Sequence, residues 1–237
     1  MRESGKILAQ VIKHLEKNAK PGVTTMELNN AAEAKIFELG GVPAFKNYNG
    51  FPYTLCASVN EVVVHGYPSN YVLKDGDIIG LDLGVILNDF YSDAAVTIPI
   101  GKVNFEARRL INVTKNALRY GIKKAKIGNT VGDIGNTIQR YVESQNYGII
   151  RELCGHGIGK NLHEDPQILN FGKRGTGEKL QEGMVICIEP MLTASGEWRI
   201  KKAKDGYGYA TKDGSLSAHF EHTIAITESG PVILTEI

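Results

Sequence analysis

The chain has 237 residues, of which 42% are hydrophobic and 22% charged, a composition typical of a globular protein with one sizeable core. Its 27 basic and 26 acidic side chains leave a net charge of +1, which argues against a nucleic-acid partner or an anionic membrane surface. The sequence has neither a run of about 20 apolar residues nor the apolar segment of a signal peptide, so no membrane partner is expected.

Two amphipathic helices are predicted at the start of the chain. Apolar side chains recur at helical spacing between residues 4 and 18, and Pro21-Gly22 ends that pattern. Thr24 stands three residues before Glu27, the spacing of a capping box, which predicts the start of a second helix. Gly40-Gly41 predicts the end of that helix, because glycine accepts the left-handed conformation that often follows a helix.

A strand-rich segment follows these helices. Residues 53–64, 77–87 and 94–100 are rich in strand-forming side chains. Asn88-Asp89 predicts a turn between the last two of these strands.

The second half of the chain repeats this order of elements. Helices are predicted at about 104–126 and 131–146, and strands at about 149–154 and 184–192. A hairpin is predicted from Tyr209 through Ile226. The repeated order predicts an α+β fold with two similar halves. Because no low-complexity linker separates the halves, a single catalytic domain over residues 1–237 is expected.

Five ionisable residues stand among apolar or glycine neighbours, in segments that otherwise look buried: Asp82, Asp93, His156, Glu189 and Glu221. Burying a carboxylate without a partner costs several kcal/mol, so four carboxylates with few basic neighbours need a common counter-charge. A pair of divalent metal ions supplies it. Taken singly, each residue has an ordinary explanation, such as an aspartate at a strand edge; the joint occurrence favours a metal centre.

The expected geometry and chemistry agree with this interpretation. Two antiparallel strands joined by a turn can bring Asp82 and Asp93 to opposite positions on one face of a sheet. Four carboxylates and an imidazole form an oxygen-rich set that favours manganese, iron or cobalt, with zinc also open. The three cysteines, Cys56, Cys154 and Cys187, make no disulfide framework or zinc motif, so a reducing cytoplasm is the expected compartment.

The order Asp, Asp, His, Glu, Glu resembles the metal set of the pita-bread metallopeptidases. The surrounding segments resemble the type I methionine aminopeptidases in particular, over residues 4–235: Asn60 to Gly66, Gly155 to Gly159, His163 to Pro166, Ile188 to Met191 and Glu221 to Thr223. This resemblance implies an antiparallel sheet covered by helices, with halves related by a pseudo-twofold axis. It also implies removal of N-terminal methionine from nascent polypeptides, with preference for a small second residue.

The resemblance further implies a role for each residue of the set. Asp82 and Asp93 would bind one metal, His156 and Glu189 the other, and Asp93 and Glu221 would bridge the two. Glu189 would also move a proton during metal-assisted hydrolysis. His65 would lie near the N-terminal side of the substrate and assist catalysis.

His163 would contact the scissile peptide group and stabilise the tetrahedral intermediate. For His219 and His222, which flank Glu221, supporting or structural roles are favoured. His14 is expected to be a solvated residue of the first helix.

The resemblance also places a methionine pocket and a second cation site. The pocket matches Phe45, Tyr48, Phe51, Cys56, Leu162 and Tyr207, although relatives often have cysteine, phenylalanine and tryptophan in place of Phe45, Leu162 and Tyr207. The aromatic residues between Tyr48 and Phe51 could equally belong to a core. A monovalent cation is suggested near Asn60, Val62 and Ser217. Docking at the ribosome is suggested too, and a monomer is expected.

Two alternatives stay open beside this prediction. The first is a proline-directed exopeptidase on the same fold, although such enzymes usually carry an additional N-terminal domain. The second is a catalytically inactive binding module. A binding module has no reason to keep five metal ligands, and the even charge balance offers no basic surface for nucleic acid.

Overall fold

The computed structural model describes residues 1–236. Two helices open the chain, α1 (Arg2–Asn18) and α2 (Thr25–Glu38), and α1 buries one apolar stripe as predicted. Thr24 caps α2 through the predicted capping box with Glu27, and Gly40 follows the helix with φ at 79°. Within the described residues, none of the helices combines the length and apolar character needed to cross a membrane.

The second half begins with an equivalent pair, α3 (Phe105–Ile122) and α4 (Val131–Ser144). A capping box between Thr130 and Asp133 starts α4, as Thr24 and Glu27 start α2. The helix α3 ends earlier than predicted, because the backbone after Ile122 tightens into a turn in which Ala125 N–H donates to the Ile122 carbonyl.

Within residues 1–236, fifteen strands form antiparallel ladders with one another. In chain order they are β1 (Val42–Pro43), β2 (Cys56–Val59), β3 (Val62–Val64), β4 (Ile78–Leu87), β5 (Phe90–Pro99), β6 (Gly148–Ile149), β7 (Gly155–Gly157), β8 (Glu164–Ile168), β9 (Val185–Ile188), β10 (Met191–Thr193), β11 (Ile200–Lys202), β12 (Tyr209–Thr211), β13 (Ser217–His219), β14 (Glu221–Thr227) and β15 (Gly230–Ile233).

Nine strands form one main sheet that runs through both halves. Its order is β1-β4-β5-β14-β9-β7-β8, with β2 also paired to β4 and β15 to β14. The pairing of β5 with β14 joins the first half to the second. Two three-stranded sheets, β13-β10-β6 and β11-β12-β3, flank the main sheet.

The turn predicted at Asn88-Asp89 is confirmed. Both residues have positive φ, 50° and 63°, and they connect Leu87 to Phe90, which pair across the hairpin. Two consecutive left-handed residues define a type I′ turn, whose twist suits a two-residue hairpin.

Three strand predictions need correction. The strand predicted at 149–154 is much shorter in the structure, where β6 covers only Gly148–Ile149. The segment 184–192 is broken at Glu189-Pro190, because proline has no N–H for the ladder. The predicted hairpin from Tyr209 through Ile226 is wrong, because β12 pairs with β3 and β11 while β14 pairs with β5, β9 and β15.

Side-chain alternation assigns the two faces of the main sheet. On β4, Leu81 and Leu83 pack into the apolar cluster that contains α1 and α2, while Asp82 faces the other side. On β14, Ile224 packs into the cluster beneath α3 and α4, and Glu221 faces away from it. The helices therefore cover one face of the sheet, and the ionisable residues share the other.

Candidate active site

A cavity of about 140 Å³ opens on the face of the main sheet that the helices leave free. The predicted metal ligands, catalytic residues and pocket residues all line this cavity, together with Asn49: Phe45, Tyr48, Phe51, Cys56, His65, Asp82, Asp93, His156, Leu162, His163, Glu189, Tyr207 and Glu221. Five of these form what we call the ligand cluster: Asp82, Asp93, His156, Glu189 and Glu221.

Strand register aligns the carboxylates that the sheet contributes. Asp82 and Glu221 both pair with Ala95 of β5, one from each side, so they lie in one row across three strands. Asp93 pairs with Gly84, which lies two positions after Asp82 on β4. Asp82 and Asp93 are therefore diagonal neighbours on one face and are not directly opposite, which corrects the sequence-based expectation. One carboxylate oxygen of each of Asp82, Asp93 and Glu221 lies within 4.8 Å of the others.

His156 enters the cluster from β7 between two glycines. A Cβ at Gly155 would collide with the Cys187 carbonyl, and a Cβ at Gly157 would collide with the Asp165 carbonyl. Close backbone packing thus requires glycine on both sides of the histidine. The Nδ1 of His156 lies 2.9 Å from the Gly157 carbonyl and donates to it, so Nε2 keeps its lone pair.

The Nε2 atom of His156 faces three carboxylates. It lies 3.8 Å from Glu189 Oε1, 3.9 Å from Asp93 Oδ2 and 4.0 Å from Glu221 Oε1. These separations exceed a hydrogen bond. The imidazole lone pair and the three carboxylates therefore converge on a common region without bonding to one another.

Glu189 lies at the break between β9 and β10, next to two residues that the sequence analysis did not assign to it. Asn170 donates from Nδ2 to the Glu189 backbone carbonyl at 3.0 Å. The Nε2 of buried His219 lies 3.3 Å from Glu189 Oε2. This separation brings His219 next to the ligand cluster without a hydrogen bond to it, so its supporting role stays a prediction. His222 lies on the other side of β14, where its Nδ1 is 2.8 Å from the Thr235 hydroxyl.

Burial and mutual repulsion dominate the electrostatics of the ligand cluster. Burial, with the charge of Glu189, raises the pKa of Asp93 to about 8. Burial raises the pKa of Glu189 to about 7 against the opposing effect of His156. Burial followed by repulsion from Asp93 also raises the pKa of Asp82 and Glu221 well above their usual range.

The histidines beside the cluster do not neutralise it. Burial lowers the pKa of His156, and it lowers the pKa of His219 to about 3. Both rings are therefore uncharged at neutral pH. The two neutral imidazoles therefore offer the four carboxylates no positive charge, and a divalent cation would favour the ionised form that burial and mutual repulsion disfavour.

The polar atoms of the cluster fit a metal centre. Asp82 Oδ1, Asp93 Oδ1 and Glu221 Oε1 are buried and have no hydrogen-bond partner within residues 1–236. A buried oxygen in that position costs free energy unless a cation or another donor satisfies it. The donor set of four carboxylates and one imidazole suits divalent first-row metals. Cys187 on β9 also lies close to His156 and Glu221, and the sequence analysis did not assign it to the site. Because Cys187 stands two positions before Glu189, the alternation of strand side chains could have placed it on the same face.

Two further histidines border the ligand cluster. The ring of His163 packs edge-on against His156, with centroids 4.4 Å apart, and its Nδ1 lies 2.9 Å from the Tyr48 hydroxyl. His65 has φ at 59° and is flanked by the rings of Tyr207 and Tyr209. Burial, followed by the charges of His219 and Lys202, lowers the pKa of His65 to about 4.

The six predicted pocket residues form the apolar side of the cavity, which we call the apolar pocket: Phe45, Tyr48, Phe51, Cys56, Leu162 and Tyr207. They belong to one apolar cluster, so they pack like a small core and line the cavity at the same time. Phe45 lies over Gly84, where an added Cβ would stand 3.1 Å from its ring and 2.8 Å from the Ala44 side chain.

The residues suggested for a monovalent cation lie close to one another beside the main sheet. Ser217 N–H donates to the Asn60 carbonyl at 2.9 Å, and Asn60 has φ at 54°. Val62 pairs with Ala210 on the neighbouring small sheet. His14 on α1 is half-buried, so it is less solvated than the sequence predicts.

Comparison with known proteins agrees with this geometry. A family model described as metallopeptidase family M24 matches residues 1–228. A methionine aminopeptidase from Clostridium acetobutylicum is 50% identical over 236 residues, which are 99% of this chain and 94% of that protein. The crystal structure of a methionine aminopeptidase from Thermotoga maritima has a TM-score of 0.98 at 43% identity, covering 100% of this chain and 95% of that one.

A prolidase from Pyrococcus furiosus shares the fold, with a TM-score of 0.81 at 23% identity over 100% of this chain and 63% of that one. These neighbours confirm the predicted α+β pita-bread fold, an antiparallel sheet covered by helices. The chain belongs to metallopeptidase family M24 and, within it, to the methionine aminopeptidases.

Proposed function

We propose that this protein removes the N-terminal methionine from nascent polypeptides, with preference for a small second residue, using two divalent metal ions held by the ligand cluster. One observation carries the proposal: the apolar pocket and the ligand cluster line the same small cavity. An apolar side chain seated against Phe45 and Phe51 would therefore bring its own backbone to the carboxylates. Unbranched, polarisable methionine suits a narrow aromatic pocket that also contains a thiol.

The metal ions, when bound, supply a Lewis acid for the scissile carbonyl and a nucleophilic water of lowered pKa. Their ligands would be Asp82, Asp93, His156, Glu189 and Glu221, with Asp93 and Glu221 shared between the two ions. Glu189 would carry a proton from the attacking water towards the leaving amine. The free amino group of the substrate would be held at the metal site, which would restrict cleavage to chain ends.

The two bordering histidines would act on the substrate itself. The Tyr48 hydroxyl lies 2.9 Å from Nδ1 of His163. We assign the hydroxyl as the donor, so that Nε2–H of His163 would donate to the scissile carbonyl as negative charge develops there. His65 is neutral at physiological pH and borders the cavity beside Tyr207, where it would contact the N-terminal side of the substrate.

The wider setting is also part of the proposal. The two halves would act as one catalytic domain, since their strands pair in a single sheet. The metal would be cobalt, manganese, iron or zinc, and a monovalent cation would lie near Asn60, Val62 and Ser217. We propose a monomer that acts in the cytoplasm, where the thiols of Cys56, Cys154 and Cys187 stay reduced, and that meets its substrates at the ribosome.

A peptide panel tests the function. The protein is loaded separately with manganese, iron, cobalt and zinc, and incubated with Met-Gly-Ser, Met-Lys and Xaa-Pro peptides. Release of methionine from Met-Gly-Ser, and much less from Met-Lys, is the expected result. No release with any metal would overturn the proposal, and preferential cleavage of the Xaa-Pro peptide would favour the proline-directed alternative.

A further inference from the structure

The junction between the two halves of the main sheet is the pairing of β5 with β14. Backbone pairing there is short, with Glu221 opposite Ala95 and His222 opposite Ala94. At each end of this short ladder, a residue just beyond it on one strand bonds to a threonine hydroxyl of the other strand instead of to its backbone. We call this arrangement the threonine junction, and it consists of Thr97 on β5 and Thr223 on β14.

Each hydroxyl bonds both backbone groups of one residue on the opposite strand. Thr223 Oγ1 accepts from the Asp93 N–H at 2.9 Å and donates to the Asp93 carbonyl at 2.7 Å. Thr97 Oγ1 accepts from the His219 N–H at 2.8 Å and donates to the His219 carbonyl at 2.8 Å. Both threonines are buried, so these bonds are shielded from water.

The two contacts are related by the local symmetry of the junction. Thr97 lies four positions after Asp93, and Thr223 lies four positions after His219. The same antiparallel register that sets Glu221 against Ala95 therefore sets each threonine against its partner. The repetition in both halves argues that the arrangement serves the junction and is not a local accident.

The residues held in this way belong to the metal-binding face. Asp93 contributes a carboxylate from the first half, and Glu221, two positions before Thr223, contributes one from the second. His219 lies 3.3 Å from Glu189. We propose that Thr97 and Thr223 are positioning residues, whose hydroxyls fix the separation between the metal ligands that the two halves contribute. The inference rests on metal binding by the ligand cluster, as proposed above.

The chemistry of a hydroxyl explains the choice of residue. A hydroxyl accepts and donates at once, so one threonine satisfies both backbone groups of a buried residue. Valine has nearly the same shape but neither function, and it would leave the N–H and the carbonyl of Asp93 unpaired and free to shift. Serine keeps the hydroxyl and loses only a methyl group.

Direct metal titration tests the inference. Metal-free full-length protein is titrated with Mn²⁺ by calorimetry as wild type, Thr223→Val, Thr223→Ser and Thr97→Val. The matched control is Thr114→Val, which removes a buried hydroxyl that bonds only to the Leu110 carbonyl within α3. We expect Thr223→Val to weaken Mn²⁺ binding about 10-fold or more, the range seen when supporting hydrogen bonds to metal ligands are removed. Thr97→Val should weaken it as well, whereas Thr223→Ser and Thr114→Val should stay within about twofold of wild type.

Wild-type Mn²⁺ affinity in folded Thr223→Val overturns the inference, and so does an equal loss in Thr114→Val. Should Thr223→Val fail to fold, Thr97→Val decides in its place, and wild-type affinity there overturns the inference. Failure of the wild type to release methionine would defeat the proposed function. The inference is tested separately, because Mn²⁺ binding is measured without substrate.

Discussion

The hydroxyl of Tyr48 lies 2.9 Å from Nδ1 of His163, and both side chains line the cavity that holds the ligand cluster. The hydroxyl comes from the pocket side of the cavity and the imidazole from the segment after β7. One hydrogen bond therefore couples the wall of the apolar pocket to a histidine that we propose to act on the scissile peptide.

Replacing Tyr48 with phenylalanine should slow the reaction without changing the fold. We propose that the Tyr48 hydroxyl donates to Nδ1, which leaves Nε2–H of His163 free to donate; such a bond contributes about 1 kcal/mol. We expect kcat for Met-Gly-Ser to fall about 5- to 10-fold, with metal affinity unchanged. The control is Tyr53→Phe, whose ring packs on Phe51 and Tyr67 in the same aromatic group. Equal rates in the two variants would contradict the proposed role of the bond.

The change Asp93→Asn should remove turnover while the protein stays folded. Asparagine keeps the shape but lacks the charge needed to bridge two cations, so we expect a loss of at least about 100-fold in activity. Thermal unfolding with and without a chelator gives an independent measurement. Added metal should raise the melting temperature of the wild type and have much less effect on the variant, since a ligand stabilises only the state that binds it.

A control for this variant lies in the same hairpin. Asp89 occupies the exposed left-handed turn position, which asparagine also tolerates, so Asp89→Asn should keep both activity and the metal-dependent stabilisation. If Asp93→Asn retained wild-type turnover, the assignment of Asp93 as a metal ligand would be wrong.

Gly84 offers a test of the apolar pocket that leaves the metal ligands in place. An added Cβ would stand 2.8 Å from the Ala44 side chain and 3.1 Å from the Phe45 ring, so Gly84→Ala should push Phe45 into the cavity. We expect kcat/KM for Met-Gly-Ser to fall about 10-fold, mainly through KM. Gly80 lies on the same strand face, and an added Cβ there would stand 3.5 Å from the Ser58 side chain, an ordinary van der Waals contact. The variant Gly80→Ala therefore serves as the matched control. A KM as in the wild type for Gly84→Ala would count against Phe45 as a pocket residue.

Local features of the fold could be predicted from the sequence because they depend on neighbouring residues. The capping box at Thr24, the turn at Asn88-Asp89 and the alternation that buries Leu81 and exposes Asp82 to the site all follow from side chains a few positions apart. The ligand cluster could be predicted as well, because buried carboxylates among apolar neighbours are unusual and their order resembles a known family.

Long-range pairing could not be predicted in the same way. The hairpin expected between Tyr209 and Ile226 is absent because β12 pairs with β3, which is distant in sequence. The diagonal relation of Asp82 and Asp93 depends on a register that a single residue of slippage would change. The contact between Thr223 and Asp93 joins residues 130 positions apart, so neither segment by itself indicates it.

Acid should destabilise the protein partly through His222. Burial, followed by the charge of Lys115, lowers the pKa of His222 to about 4, below the usual 6.5. Between these two pH values the unfolded chain binds a proton that the folded chain does not, so stability rises with pH from about 4 to 6.5 and levels off above. His222→Gln can keep a hydrogen bond to Thr235 and removes this titration. Urea unfolding of the metal-free protein should show the wild type losing about 2 kcal/mol more than the variant between pH 6 and 4.5, and parallel profiles would mean that His222 is protonated in the folded state.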